Sequence, residues 1–224
     1  MSYKYMLFDF DGTVADTVPL IMETFSYVFT TLTGEDADEK YLLSTIGEPL
    51  EKTFDILAPE LRSKALELYF EYNKTHLDTG AGIFYNIVRA ISSVRSKGVF
   101  TGLVTSKRYE SAYHTIRQFE LEQYFDIIIV REDTIKHKPH PDPVLEALKR
   151  LDQTFGSCVS SEPEQVLFIG DSIHDLLSAR SAGTRTAVVG WTRMDKDYLR
   201  AAKPDHWIDD PYDLIRMCEK GGVG

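Results

Sequence analysis

Asp9 and Asp11, within Asp9-Phe10-Asp11-Gly12-Thr13, are the residues of this chain whose types and spacing point most directly to chemistry. Neighbouring carboxylates repel unless a cation or a shared proton relieves them, so a divalent ion is a sensible partner for the pair. The competing reading is a plain surface turn, because Asp-Gly is a common turn dipeptide. Three further clusters bear on the choice. Thr105-Ser106-Lys107 offers a hydroxyl pair ahead of a helical pattern, able to hold a phosphate through side-chain oxygen and backbone N–H groups, although Ser and Thr also cap helices at such positions. Lys136-His137-Lys138-Pro139-His140-Pro141-Asp142-Pro143 sets positive side chains in a segment stiffened by proline, which suits a positioned Lys. Gly170-Asp171-Ser172-Ile173-His174-Asp175 places two carboxylates four apart on one face of a helix start, where acids also serve as ordinary caps.

The elements around these clusters decide whether they meet. Continuous apolar runs from Tyr5 to Phe8, Val99 to Val104, Asp126 to Val130, Val166 to Ile169 and Thr186 to Val189 predict buried parallel strands, since a strand covered on both faces does not alternate. Between them lie helical patterns: Ile87, Ile91 and Val94 closed by Gly98, then Glu110 to Phe119, and Ile173 to Ala182 closed by Gly183. A further helix opens at Asp142-Pro143 and carries Val144, Leu145, Leu148 and Leu151. Strands alternating with helices give an α/β fold, a doubly wound parallel sheet. Each cluster follows a strand, so all of them fall at the carboxyl edge, where open α/β sheets bind ligands. Independent capping accidents would seldom converge in this way.

From 16 to 82 the alternation stops, and helix signals appear with no convincing strand. Thr17 and Pro19 start one helix with the stripe Val18, Ile21, Met22, Phe25, Val28, Phe29 and Leu32; Pro59-Glu60 starts another carrying Leu61, Ala65, Leu68, Tyr69 and Tyr72. The expected organisation is a core of residues 1–15 and 83–224, with a helical cap domain of 16–82 inserted after the first strand. The cap aromatics Phe25, Phe29, Tyr69 and Tyr72 read as core more readily than as a platform for a base. The polar stretch from Gln153 to Gln165 reads as a loop without an assigned role.

Over 224 residues, 43% hydrophobic and 27% charged content is ordinary for a globular chain. No tract is apolar enough to span a bilayer, and Met1 to Tyr5 shows no targeting pattern. A net charge of -10 without clustered Lys and Arg argues against a nucleic-acid partner. Cys158 and Cys218 have no metal-type spacing and read as thiols of a reducing cytoplasm. His137, His140 and His174 match no ligand set and read as solvated.

Taken in order, Asp9-x-Asp11-Gly12-Thr13, Thr105, Lys138-Pro139 and Gly170-Asp171-Ser172-x-x-Asp175 resemble the four motifs of the haloacid dehalogenase superfamily, over essentially the whole chain. The segment 16–82 is similar to that superfamily's small all-α cap, and the phosphoglycolate phosphatase-like hydrolases are the subgroup it most resembles. The resemblance implies a Mg2+-dependent phosphatase. Asp9 would attack phosphorus and form an aspartyl-phosphate, while Asp11 protonates the leaving oxygen and then activates water. Mg2+ would be held by Asp9, the backbone carbonyl of Asp11 and Asp171, with Asp175 ordering its waters or touching it directly. Thr105, the backbone of Ser106 and Lys138 would bind the phosphoryl group, Lys136 being the rival to Lys138. The loop Thr45-Ile46-Gly47-Glu48-Pro49-Leu50 resembles the Gly-x-Pro-Leu segment of such caps, so Gly47 and Glu48 are candidates to close over substrate; a plain helix-helix turn is the alternative.

Dehalogenase and phosphonate-cleaving members resemble the chain but usually lack an acid at the position of Asp11. Mutase-like members usually carry a His where Ile21 stands. Hydrolysis of a small phosphorylated metabolite by a monomer or homodimer is therefore expected, with 2-phosphoglycolate first. Pyrophosphatase, nucleotidase and sugar-phosphate phosphatase are the rivals, and a catalytically idle ligand-binding relative is the non-enzymatic alternative.

Overall fold

The computed structural model describes residues 3–57, 59–156 and 159–219. Strand β1 (Tyr5–Phe8) is buried along its whole length. Met6 and Phe8 face one apolar cluster while Tyr5 and Leu7 face another, so the period of two feeds two cores and the run needs no polar position. β1 lies between β4 (Phe100–Val104) and β6 (Val166–Gly170), parallel to both. With β5 (Ile127–Ile129), β7 (Arg185–Val189) and β8 (His206–Ile208) they form a six-stranded sheet in the order β5-β4-β1-β6-β7-β8. Helices α5 (Ile87–Ser96), α6 (Tyr109–Gln118) and α10 (Asp213–Glu219) supply one cluster; α7 (Asp142–Phe155) and α8 (Ile173–Ser181) supply the other. The sheet is thus doubly wound, as the apolar runs predict. Among the described residues no helix is long and apolar enough to cross a membrane.

The two edge strands are pinned by the same device. Ahead of β5, Asp126 accepts from the Thr101 N–H of β4 at 2.8 Å and from Arg95 at 2.7 and 3.0 Å. Ahead of β8, Asp205 accepts from the Thr186 N–H and hydroxyl of β7, both at 2.8 Å, and from Arg185 at 3.0 Å. Each carboxylate satisfies a donor that the short edge strand leaves unpaired. Burial alone would raise the Asp205 carboxyl, but the Thr186 and Arg185 donors outweigh it and hold it below its ordinary value. A depressed folded pKa gives stability that is present above the unfolded value and lost as pH falls through the folded one. Asp205→Ala should therefore lower stability by about 1–3 kcal/mol near neutral pH and by less in acid, read as Tm against pH.

The chain leaves and re-enters the sheet through a small antiparallel ribbon, β2 (Ala15–Asp16) paired with β3 (Gly82–Ile83). This corrects the expectation of no strand there: two residues per strand are too few for a period to show. Between them, α1 (Val18–Thr33), α2 (Glu39–Thr45), α3 (Leu50–Thr53) and α4 (Pro59–Gly80) close around their own apolar cluster, in which Phe25, Phe54 and Tyr69 meet. Tyr72 departs from the expected stripe and stacks on Tyr27 and His76 outside that cluster. On α7, Leu145 is exposed and Ala147 takes the buried place, because Val144, Ala147, Leu148 and Leu151 follow the helical repeat and Leu145 does not. α7 runs to Phe155, so the expected loop from Gln153 is shorter; Val159 is buried against α7, while Cys158 lies outside the described residues. β8, α9 (Lys196–Ala201) and α10 complete the C-terminal part, which the sequence patterns do not announce.

Candidate active site

All four motif segments reach one end of the sheet. Asp9 directly follows β1, and its N–H continues the strand register by donating to the Ile169 carbonyl at 2.8 Å. The chain then turns sharply, with the Val14 and Ala15 N–H groups both bonded to the Phe10 carbonyl and Phe10 fully buried. Gly12 is required at this turn: its φ is +82°, and a Cβ would come 2.2 Å from Asp171 Oδ2. The first and fourth motifs are therefore packed backbone against carboxylate.

Lys138 is 1% exposed and donates through Nζ to Asp9 Oδ1 at 2.6 Å, Asp175 Oδ1 at 2.7 Å and the Val104 carbonyl at 2.8 Å. Its three donors are thus satisfied, and its ammonium also lies 5.0 Å from the centre of the Phe168 ring. Lys136, the rival, is exposed and contacts His140. Asp175 caps α8: its Oδ2 accepts from the Ser172 N–H at 3.1 Å and the Ser172 hydroxyl at 2.7 Å. Asp171 differs from both. It is 2% exposed, its backbone carbonyl accepts from the Thr192 hydroxyl at 2.8 Å, and its Oδ2 is buried with no hydrogen-bond partner.

Oxygens of Asp9, Asp171 and Asp175 lie within 4.8 Å of one another. One Lys faces three carboxylates, and the imbalance shows in their protonation. Burial, and then the charge of Asp175, push Asp9 up to about 7 against the pull of Lys138. Burial, Asp175 and Asp9 likewise push Asp171 well above the carboxylate range. Burial alone would lower Lys138; the charges of Asp175 and Asp9 outweigh it and raise the ammonium's pKa. An all-oxygen donor set, an orphaned Asp171 Oδ2 and unrelieved negative charge fit a hard divalent cation such as Mg2+.

Asp11 stands apart from that cluster. Its Oδ1 accepts from the Thr17 hydroxyl at 2.5 Å and from Lys107 Nζ at 2.9 Å. Thr105 is buried at the end of β4, and Ser106 turns its hydroxyl to the Gly47 carbonyl of the cap at 3.0 Å. Gly47 has φ of +92° and passes 3.3 Å from Ser172 Oγ, measured from where a Cβ would stand, so the cap loop also rests on the fourth motif. Glu48 lies 3.6 Å from His174 Nδ1. His174 is buried, with Nε2 3.3 Å from the Ser44 carbonyl, which corrects the expectation of a solvated histidine: the cap covers it.

Together these segments enclose a cavity of about 90 Å³ that reaches from Asp9, Asp11 and Asp171 to Gly47 and Glu48. Arg108, Arg131 and Glu51 also line it without any signal in the sequence, and so do Lys107, named there only within the hydroxyl segment, and Tyr69, expected as core. Burial, with the charge of Asp11, drives the Tyr69 phenol well above its ordinary pKa, so it stays a neutral donor. Lys107 was legible only as the residue after the hydroxyl pair; its contact with Asp11 spans 96 positions.

The family profile described as haloacid dehalogenase-like hydrolase matches residues 6–189. The chain belongs to that family. It is 36% identical over 98% of its length, and 96% of the relative's, to a protein of Caldanaerobacter subterraneus subsp. tengcongensis that carries the provisional name pyrophosphatase PpaX. Pyrophosphatase PpaX of Anoxybacillus flavithermus is 30% identical, with 97% of each chain covered. Among solved structures, one from Bacteroides fragilis described provisionally as a haloacid dehalogenase-like hydrolase superposes with a TM-score of 0.84 at 27% identity, over 95% of this chain and all of that one. The chain is accordingly an enzyme of the hydrolase class, built on the fold its motifs imply.

Proposed function

We propose that this hydrolase is a Mg2+-dependent phosphatase of small phosphorylated metabolites, working through an aspartyl-phosphate on Asp9, with residues 16–82 acting as its cap domain. The observation that carries the reading is Asp9 held at a strand end by Lys138, facing the cavity that Asp11 also lines. Lys138 holds Oδ1 of Asp9; Oδ2 is assigned to attack phosphorus, so that an Asp9 O–P bond forms as the bond to the leaving oxygen breaks. Asp11 gives its proton to that oxygen, then takes one from the water that attacks the aspartyl-phosphate and returns Asp9 to a carboxylate. Lys107 and Thr17 hold Asp11 in place for both transfers. Thr105 and the backbone of Ser106 are assigned to the phosphoryl oxygens. Lys138, expected to join them, has its three donors taken by Asp9, Asp175 and the Val104 carbonyl and is assigned instead to positioning Asp9. Asp9, the Asp11 carbonyl and Asp171 would hold Mg2+, which supplies charge neutralisation at the phosphoryl group. Asp175 is already engaged by Lys138 and Ser172, which favours a supporting role over direct ligation.

Size limits the substrate. A space of 90 Å³ suits a compact anion and lies well below the roughly 300–1,000 Å³ of pockets that take drug-sized ligands, so a nucleoside would need the cap to open. Inorganic pyrophosphate ranks first, ahead of 2-phosphoglycolate, because the whole-length relatives at 36% and 30% identity are named for pyrophosphatase activity. The test is a steady-state comparison, with Mg2+, of pyrophosphate, 2-phosphoglycolate, nucleotides and sugar phosphates by kcat/KM. Pyrophosphate should lead by at least about tenfold, and a chelator should abolish turnover. A nucleotide or sugar phosphate in first place would overturn the substrate ranking, and undiminished turnover in chelator would overturn the metal dependence.

A further inference from the structure

Two arginines stand at the cap side of the cavity without a part in the chemistry above. Arg108 follows β4 and Arg131 follows β5, so neighbouring strands deliver them, and the Arg131 N–H bonds the Lys107 carbonyl at 3.0 Å. A second tie runs between the two loops from the Tyr109 N–H to Glu132 at 2.8 Å. The backbone carrying both arginines is therefore fixed to the core. Their side chains, by contrast, meet the cap. Arg131 Nη2 lies 3.0 Å from both carboxylate oxygens of Glu51, and the Arg108 guanidinium lies 4.0 Å over the Phe70 ring.

Glu51 pairs with Arg131 and also feels the charge of Arg108. Burial alone would raise its pKa, but its own backbone N–H, Arg131 and then Arg108 outweigh burial and hold it below the usual carboxylate range. A carboxylate of the cap thus occupies the bidentate face of the Arg131 guanidinium inside the cavity that Arg108 also lines. The cations continue outward from the acid: Lys107 bonds Asp11, and Arg108 is the next residue along the chain. A leaving oxygen protonated by Asp11 would carry its remaining atoms toward these arginines.

We propose that Arg108 and Arg131 form a subsite for a second oxyanion, the part of the substrate beyond the scissile bond, and that Glu51 holds this subsite until substrate displaces it. The proposal rests on the phosphatase reading and deepens it: the preferred substrate is a compact phosphoryl compound with a further phosphate or carboxylate, not one with a neutral leaving group. Guanidiniums recognise either anion bidentately. Glu51 then acts as an internal competitor, and its removal should tighten the binding of anionic substrates.

The experiment compares Arg131→Gln, Arg108→Gln and Glu51→Gln with the unmodified enzyme on pyrophosphate, 2-phosphoglycolate and p-nitrophenyl phosphate, all with Mg2+, after thermal melts establish that each variant is folded. Each arginine variant should lower kcat/KM for the doubly anionic substrates about 10- to 100-fold more than for the aryl phosphate. Glu51→Gln should lower KM for those same substrates. A response to pyrophosphate alone assigns the subsite to phosphate, and a response to 2-phosphoglycolate alone assigns it to carboxylate. Equal impairment of all three substrates in all three variants would make the Glu51–Arg131 pair a cap latch and overturn the proposal, as would no change in any. Absence of turnover on every substrate by the unmodified enzyme would instead sink the phosphatase reading.

Discussion

Asp9→Asn is expected to keep the fold and lose turnover by at least about 10³-fold, equivalent to about 4 kcal/mol of barrier. An amide has the shape of the carboxylate but no anionic oxygen to attack phosphorus. The fold should survive because the substitution removes one of three crowded acids that share a single buried Lys, and an amide oxygen can still accept from Lys138. Phosphate release under saturating pyrophosphate and Mg2+, with a melt on the same sample, reads both effects. Full activity in this variant would remove Asp9 from the chemistry.

Lys138→Met has the second large effect, and it falls on stability as well as rate. Lys138 donates to Asp9, Asp175 and the Val104 carbonyl from a fully enclosed position. Removing one partner of a buried ion pair costs about 3–5 kcal/mol, because the remaining charges stay buried without compensation. At ~2–4 °C per kcal/mol for a chain of this size, Tm should fall by roughly 6–20 °C. Added Mg2+ should raise the Tm of this variant more than that of the unmodified protein, since a cation among the acids replaces part of the lost charge. An unchanged Tm would mean that Lys138 does not neutralise the cluster.

Much of this arrangement was legible because of one geometric rule. Tyr5 to Phe8, Val99 to Val104 and Val166 to Ile169 are apolar runs ending at Asp9, Thr105 and the Gly170-Asp171 turn, and parallel strands put such ends together without any need to know the cap. Lys138 was legible for a different reason: its prolines mark a stiff segment after the third run. What the sequence hid depends on contacts across the cavity. Glu51 and Arg131 are 80 positions apart, on a four-residue helix and a turn, and neither carries a local pattern. Tyr69 shares its helical stripe with core residues and also lines the cavity, a double role that periodicity cannot express. His174 lies on a polar turn whose local pattern carries no sign of the cap loop that buries it. The edge strand His206–Ile208 is three residues long, too short for its pattern to stand out from a loop.

The proposed substrate follows the same division: the residues proposed to act on phosphorus come from the sheet edge, and those proposed to read the rest of the molecule come from the facing surfaces of cap and core. Pyrophosphate suits both: it is compact enough for the cavity, and its leaving phosphate would meet Lys107, Arg108 and Arg131.

The covalent intermediate on Asp9 is the centre of this account, and trapping it is the most direct test. In Asp11→Asn an activated aryl phosphate can still transfer its phosphoryl group, because p-nitrophenolate leaves without a proton, whereas hydrolysis of the intermediate loses its base. Rapid mixing should therefore give a burst of p-nitrophenolate close to one per enzyme, and acid quenching followed by peptide mass spectrometry should find one added phosphoryl group on Asp9. No burst, or a phosphoryl group on any other residue, would contradict it.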